Sequence, residues 1–215
     1  MKKVILAVML LTAVFLITPK ASYAVLVDPM ISGLTEYVGS TGWTADVYWA
    51  VWAPDTESLL GTLEEYSYYY MVVNTSGAEG ASLKIFSVGN PWDVLITSAG
   101  YIDLDTYPTD IEDIIWSSGI APAFIDPAGD SVVYTFGTFE VGDLILGEGY
   151  IDSGENTDVL YFTSPWSPGW VNGGLLDGGI TDYELVPGPV IPEPATMSLL
   201  GMGVLGLFGF RKKKS

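Results

Sequence analysis

The chain of 215 residues contains no cysteine and no histidine. These absences remove whole classes of chemistry: no thiol nucleophile, no disulfide framework, no Ser-His-Asp triad and no ordinary zinc site can be assembled. Stability must therefore come from an apolar core. Bases are almost as scarce. Of eight, Lys2, Lys3 and Lys20 stand at the start and Arg211, Lys212, Lys213 and Lys214 at the end, leaving Lys84 alone in between. Acids number 26, and all but Glu193 lie between Val25 and Val190. With 25 acids against one base, this central stretch carries a formal charge of −24. A nucleic-acid reader needs a basic face to meet phosphates, so no nucleic-acid partner is expected. Binding to bare anionic lipid is disfavoured for the same reason.

What is present is apolar sequence, 49% of the chain, with its longest uncharged runs at the two ends. Met1-Lys2-Lys3 is a short positive start, Val4 to Thr18 follows without a charge, and Ala21-Ser22-Tyr23-Ala24 offers small residues at Ser22 and Ala24. Charged start, short apolar run and small-x-small exit are the parts of a secretory signal, read here as residues 1–24 with cleavage after Ala24. An uncleaved anchor is the alternative, but fifteen apolar residues are short for a spanning helix. Export through a translocon and trimming by signal peptidase follow.

At the other end, Ile191-Pro192-Glu193-Pro194-Ala195-Thr196 leads into sixteen uncharged residues, 195–210, and then the basic tail 211–215. A helix of that length would span about 24 Å at ~1.5 Å per residue, with the basic side chains snorkelling to complete the crossing. Arg211, Lys212, Lys213 and Lys214 act as a stop-transfer cluster kept on the cytoplasmic side. The two prolines hold an extended backbone just outside the membrane, which suits a processing site. Within the apolar run, Gly201-Met202-Gly203-Val204-Leu205-Gly206 matches G-x-G-x-x-G. A dinucleotide site also needs a preceding strand and an acid about twenty residues on. The chain offers only nine residues after Gly206, and the glycines read better as small residues of a membrane helix.

Pro192-Glu193-Pro194, the short apolar run and the terminal basic cluster, in that order, resemble the PEP-CTERM sorting domain. The resemblance implies handling by exosortase, a membrane-embedded transpeptidase-like enzyme that cleaves near the motif. It also implies a chain held transiently in the inner membrane of a Gram-negative-type bacterium and then delivered to the outer surface or extracellular matrix. Exopolysaccharide and biofilm formation are the usual setting of such proteins.

Between the ends, Val25 to Pro187 reads as one all-β domain. Strands are expected at Asp46–Trp52, Tyr66–Val73, Ser82–Val88, Val94–Thr97, Ser131–Phe139 and Val159–Thr163, where aromatic and β-branched residues cluster between Gly and Pro breaks. Many short strands with frequent turns point to an antiparallel β-sandwich, jelly-roll-like. Only Asp110 to Trp116 has a brief helical period. Residues 188–215 are then linker and sorting signal, with Pro187-Gly188-Pro189 forming the linker. The Tyr-rich strand running into Asn74-Thr75-Ser76-Gly77, the segment Leu160–Pro165 and Asp177-Gly178-Gly179 also resemble passengers that precede PEP-CTERM tails.

Three features of this domain bear on chemistry. Asp103, Asp105, Asp110, Glu112 and Asp113 are close enough in sequence to offer calcium its oxygen ligands, although the spacing fails the EF-hand pattern and a solvated loop is the ordinary reading. Trp166 and Trp170, in a Pro/Gly-rich stretch, are the tryptophans most open to stacking on a sugar, against the ordinary role of aromatics in packing. Trp49 and Trp52 have opposite parity in one strand, so at least one should face the core. Finally, an Asp/Glu pair could serve a hydrolase, but with this many acids the signal has no specificity. The expectation is a non-enzymatic surface or matrix protein, structural or adhesive, with no cofactor unless calcium. A carbohydrate- or calcium-binding module is the alternative, and a secreted hydrolase a more distant one. The mature chain should begin at Val25. N-terminal sequencing of the protein from its own envelope should read Val25-Leu26-Val27, and a start at Met1 would overturn the assignment.

Overall fold

A computed structural model describes residues 29–77, 82–89, 94–104, 116–127, 131–141, 144–177, 179 and 181–191. The signal stretch 1–24, the sorting tail from Pro192 onward and most of the expected helical segment, residues 110–115, lie outside the described residues. Fourteen strands and no α-helix form among those described. The first are β1 (Ile31–Val38), β2 (Thr44–Trp52), β3 (Glu57–Ser58), β4 (Gly61–Thr62) and β5 (Tyr66–Asn74). They continue as β6 (Ile85–Gly89), β7 (Ser98–Ile102), β8 (Phe124–Asp126), β9 (Ser131–Thr135) and β10 (Gly137–Val141). The last are β11 (Leu144–Gly149), β12 (Val159–Ser164), β13 (Pro168–Leu176) and β14 (Thr181–Pro189). Two five-stranded antiparallel sheets result, ordered β1-β2-β5-β12-β7 and β14-β13-β6-β9-β8, with β3–β4 and β10–β11 as separate hairpins. Pairing is nested, since β5 bonds to β12 while β6 and β9, which lie between them in sequence, bond to each other in the opposite sheet.

The inner faces of the two sheets share one core. β5 shows how the sequence builds it. A strand with one wet face alternates apolar and polar residues, whereas Tyr68-Tyr69-Tyr70-Met71-Val72 is apolar throughout and buried on both sides. Tyr68, Tyr70 and Val72 point between the sheets, where they meet Phe86, Tyr134 and Phe162. Tyr69 and Met71 point outward into a second cluster with Ala50, Trp52, Leu59 and Trp116. Trp49 and Trp52 lie on opposite faces of β2 and are both buried, because each face has its own cluster.

Aromatic rings cross the space between the sheets as a connected series. Tyr68 stacks on Phe162 at 4.8 Å, Phe162 lies 5.8 Å from Tyr70, Tyr70 is 5.5 Å from Phe86, and Phe86 stacks on Tyr134 at 6.2 Å. Each tyrosine carries a hydroxyl into a dry interior, and such a group needs a partner. Tyr70 donates to the carbonyl of Pro187 in the opposite sheet, and Tyr134 to that of Tyr161 at 2.7 Å. Tyr68 donates to Trp166 O at 2.7 Å in the connection between the layers. At one side, β1 lies against β14. Thr35 Oγ1 accepts from Trp49 Nε1 at 3.1 Å and donates to Leu185 O at 3.0 Å, while the Ser40 N–H reaches Asp182 Oδ2 at 3.1 Å. Gly33 makes room for this seam, because a Cβ there would sit 2.6 Å from the Trp49 ring.

Several sequence expectations need correction. The stretch Val94–Thr97 is not a strand: pairing with β12 begins at Ser98. The run Ser131–Phe139 is two strands, broken where Gly137 takes φ 139°, a value side chains disfavour. The expected linker Pro187-Gly188-Pro189 is instead the end of β14, paired with Trp170, Gly169 and Pro168. Prolines are tolerated there because β14 is an edge strand whose outer side needs no N–H donors.

Burial raises the hydroxyl pKa of Tyr70 and Tyr134 well above the ordinary value near 10, and pushes Tyr69 up to about 12 despite hydrogen bonds that lower it. Below pH 10 the folded and unfolded chains both keep these protons. Above it the unfolded chain releases them first, so stability is lost as pH rises, by up to ~1.4 kcal/mol per pH unit per tyrosine. Urea midpoints should hold to about pH 10 and then fall, with the buried tyrosines adding their share of tyrosinate absorbance only on unfolding. Ionisation of all 13 tyrosines with the fold intact would contradict this core.

Candidate functional site

The chain enters and leaves this body at the same end. Thr35 lies by Leu185 and Ser40 by Asp182, so β1 and β14 run antiparallel and Ile31 lies toward Pro189. Met30 N–H is tied to Val51 O at 2.8 Å, and Val190 N–H to Ser167 O at 3.0 Å. The backbone is thus held to within two residues of Pro192. The register of sheet one places the end of β2, the start of β5, the end of β12 and the start of β7 at this end as well.

Trp166 lies in the short turn 165–167 that joins the sheets, whereas Trp170 lies in β13, so the two do not share a loop. Trp166 is half-buried, and its carbonyl accepts the Tyr68 hydroxyl. Trp170 is the third residue of β13, 60% exposed, with its ring edge-on to Trp49 at 5.6 Å and 86°. The two expected sugar-stacking residues therefore differ in exposure, and the ring that Trp170 touches is Trp49. A cavity of about 250 Å³ opens at the same end, lined by Leu60, Leu63, Glu64, Glu65, Ser98 and Thr163. Thr97 Oγ1 donates to the Glu65 carboxylate.

Among the described residues, more acids lie toward the opposite end than at this one. Asp103 follows β7 there, whereas Asp105, Asp110, Glu112 and Asp113 lie outside the described residues. Among the described residues, no group of three or more acids is gathered to hold a metal. Instead the acids accept bonds from loop donors. Asp158 takes the Gly119 N–H at 2.8 Å, Glu155 the Asp152 N–H at 2.9 Å and Asp177 the Thr41 hydroxyl at 2.8 Å. Asp46 faces Glu36 across β1 and β2, and partial burial followed by the Glu36 charge raises its pKa. Lys84, the sole base of this stretch, places Nζ 5.1 Å from the Tyr150 ring centroid.

These contacts separate the two tryptophans that meet edge to face. Trp49→Ala opens a cavity in the core and should cost about 3–5 kcal/mol, whereas Trp170→Ala removes one edge contact and should cost about 1 kcal/mol. Urea unfolding of both variants measures the difference. Equal losses would mean that Trp170 is part of the core.

Residues 190–214 match the PEP-CTERM protein-sorting motif. No curated protein and no solved structure matches the chain. The matched segment takes in Pro192, Glu193 and Pro194, the uncharged run and the basic residues 211–214. It starts one residue after β14 ends. Such a motif implies an exported chain, sorted through a membrane anchor and processed by an exosortase. The chain is thus a protein with a C-terminal PEP-CTERM sorting motif, joined directly to an antiparallel all-β body.

Proposed function

We propose that this protein is a non-enzymatic constituent of the cell surface or extracellular matrix, structural or adhesive, working in association with exopolysaccharide. Held first in the inner membrane, it is released or transferred outward once its tail is processed. The observation that carries the reading is the sorting motif at residues 190–214. The nested pairing of β5 with β12 around β6 with β9 supports a jelly-roll-like β-sandwich as its passenger. Composition supports a passenger without catalysis, since cysteine and histidine are absent. Its charge of −24 keeps copies apart in solution and limits non-specific binding to other acidic polymers.

Glu193 supplies the one charge of Pro192-Glu193-Pro194, while the uncharged run and basic cluster set topology without it. Glu193→Ala should therefore leave membrane insertion intact and block processing. Pulse-labelling in the native host, followed by gel mobility, reads this directly. Maturation at the normal rate would remove the main support for exosortase sorting through Pro192-Glu193-Pro194.

A further inference from the structure

At the end where the chain leaves the body, exposed apolar side chains are carried by four separate segments. Met30 and Ile31 come from the entry to β1, Leu95 from the loop before β7, Trp170 from the start of β13 and Ile191 from the exit of β14. All five are between 37% and 60% exposed. Their common location follows from pairing. Ile31 pairs with Val51, Leu95 O accepts from Ser164 Oγ at 2.9 Å, and Trp170 pairs with Pro187 two residues before the strand ends. Exposed apolar residues such as Val38 and Tyr183 also occur toward the other end, and what distinguishes this group is its place beside the exit strand.

The chain's own geometry identifies what that end meets. From Ile191 only three residues, Pro192, Glu193 and Pro194, precede the uncharged run that begins at Ala195. Fully extended, those four steps reach about 14 Å at most. While the tail is anchored, the exit end is therefore held within about 14 Å of the hydrocarbon edge, about two headgroup layers at most. Moreover, the ties of Met30 to Val51 and Val190 to Ser167 leave no slack inside the body.

We infer that the exit end, centred on Trp170, is a second membrane contact that seats the body on the bilayer interface until the tail is cut. The occupant is a neutral, zwitterionic headgroup region. A tryptophan flanked by aliphatic side chains suits that depth, its ring amphipathic and its neighbours apolar. Asp55, Glu57, Glu64 and Glu65 lie in the connection from β2 to β5 at the same end, and they disfavour anionic lipid. More of the described acids, among them Asp103, Asp152, Glu155, Asp158 and Asp177, lie toward the far end. Seating sets a direction as well as a distance: the motif is presented close to the membrane surface, where a membrane-embedded enzyme works. Once the tail is removed, nothing holds the small patch to lipid, and the body leaves.

The inference rests on membrane anchoring through the motif, and the test keeps the two apart. The full chain is reconstituted into phosphatidylcholine vesicles with and without brominated acyl chains, alongside Trp170→Phe, which keeps the apolar face but removes the reporter. Co-sedimentation shows anchoring, and a melting curve confirms that the variant folds. Wild-type tryptophan emission should fall in brominated lipid by up to Trp170's share, and Trp170→Phe should lose measurably less. Replacing part of the lipid with phosphatidylglycerol should weaken the quenching. If the chain is anchored but both proteins are quenched alike, the bilayer is not the occupant of this end. The patch is then left to a sugar or to a second copy of the chain. A chain that does not co-sediment overturns the sorting reading, and this inference with it.

Discussion

Tyrosine hydroxyls that span the two sheets hold this structure in register. A phenylalanine core of the same size would bury as much apolar area, but it would let one sheet slide over the other. Tyr70 and Tyr134 reach in opposite directions, from β5 to Pro187 O and from β9 to Tyr161 O, so each layer is pinned to a carbonyl of the other. A hydroxyl displaced from its carbonyl would be stranded in a dry interior, at a cost of about 1–3 kcal/mol. The pins therefore penalise any relative shift of the sheets. Ring stacking from Tyr68 through Phe162, Tyr70 and Phe86 to Tyr134 fills the space between them. In a chain with no cysteine, this is how the layers are joined.

The parts of the fold legible in the sequence are those whose residues declare themselves locally. β2, β5 and β12 are dense in aromatic and β-branched residues, and their expected bounds lie close to the observed ones. β13 and β14 escaped because their composition argues against strand. Gly169, Gly173 and Gly174 occur in one, and Pro187, Gly188 and Pro189 in the other. Tertiary packing overrides the propensity. A Cβ at Gly173 would sit 2.4 Å from the Tyr37 hydroxyl, and one at Gly188 would sit 2.4 Å from Val171, so these positions are glycine because neighbours crowd them. Periodicity cannot register that kind of constraint. Parity did place Trp49 and Trp52 on opposite faces, but it could not foresee that the outer face has a core of its own.

Trp170 illustrates the same division for the candidate site. Its Pro/Gly-rich surroundings gave a sound reason to expect exposure, and it is exposed. What the linear sequence hides is its company: Trp49 beneath it, and Met30, Leu95 and Ile191 at the same end from distant positions. The acids show the converse. The carboxylates of Asp158, Glu155 and Asp177 accept from backbone N–H and hydroxyl donors, and Lys84 lies by the Tyr150 ring. Their mutual repulsion is screened over about 8–10 Å at ordinary ionic strength. The core thus supplies the stability, and the charge supplies a surface that repels its own kind.

The described acids are distributed unevenly along one axis. More of them lie toward the far end, while exposed apolar side chains occur at both ends, Val38 and Tyr183 at the far one and Met30, Ile31 and Trp170 beside the strand that leads into the sorting motif. Such polarity is not needed for folding, because the core would be the same with the acids spread evenly. It matters where a chain is tethered at one end and must stay soluble at the other. A strand held by hydrogen bonds up to Val190 carries the tether without slack, so cutting the motif does not require the sheet to open. The edge position of β14 makes this possible. A central strand would have buried the exit, whereas an edge strand can end in prolines, deliver the chain outward and leave the body intact once the tail is removed.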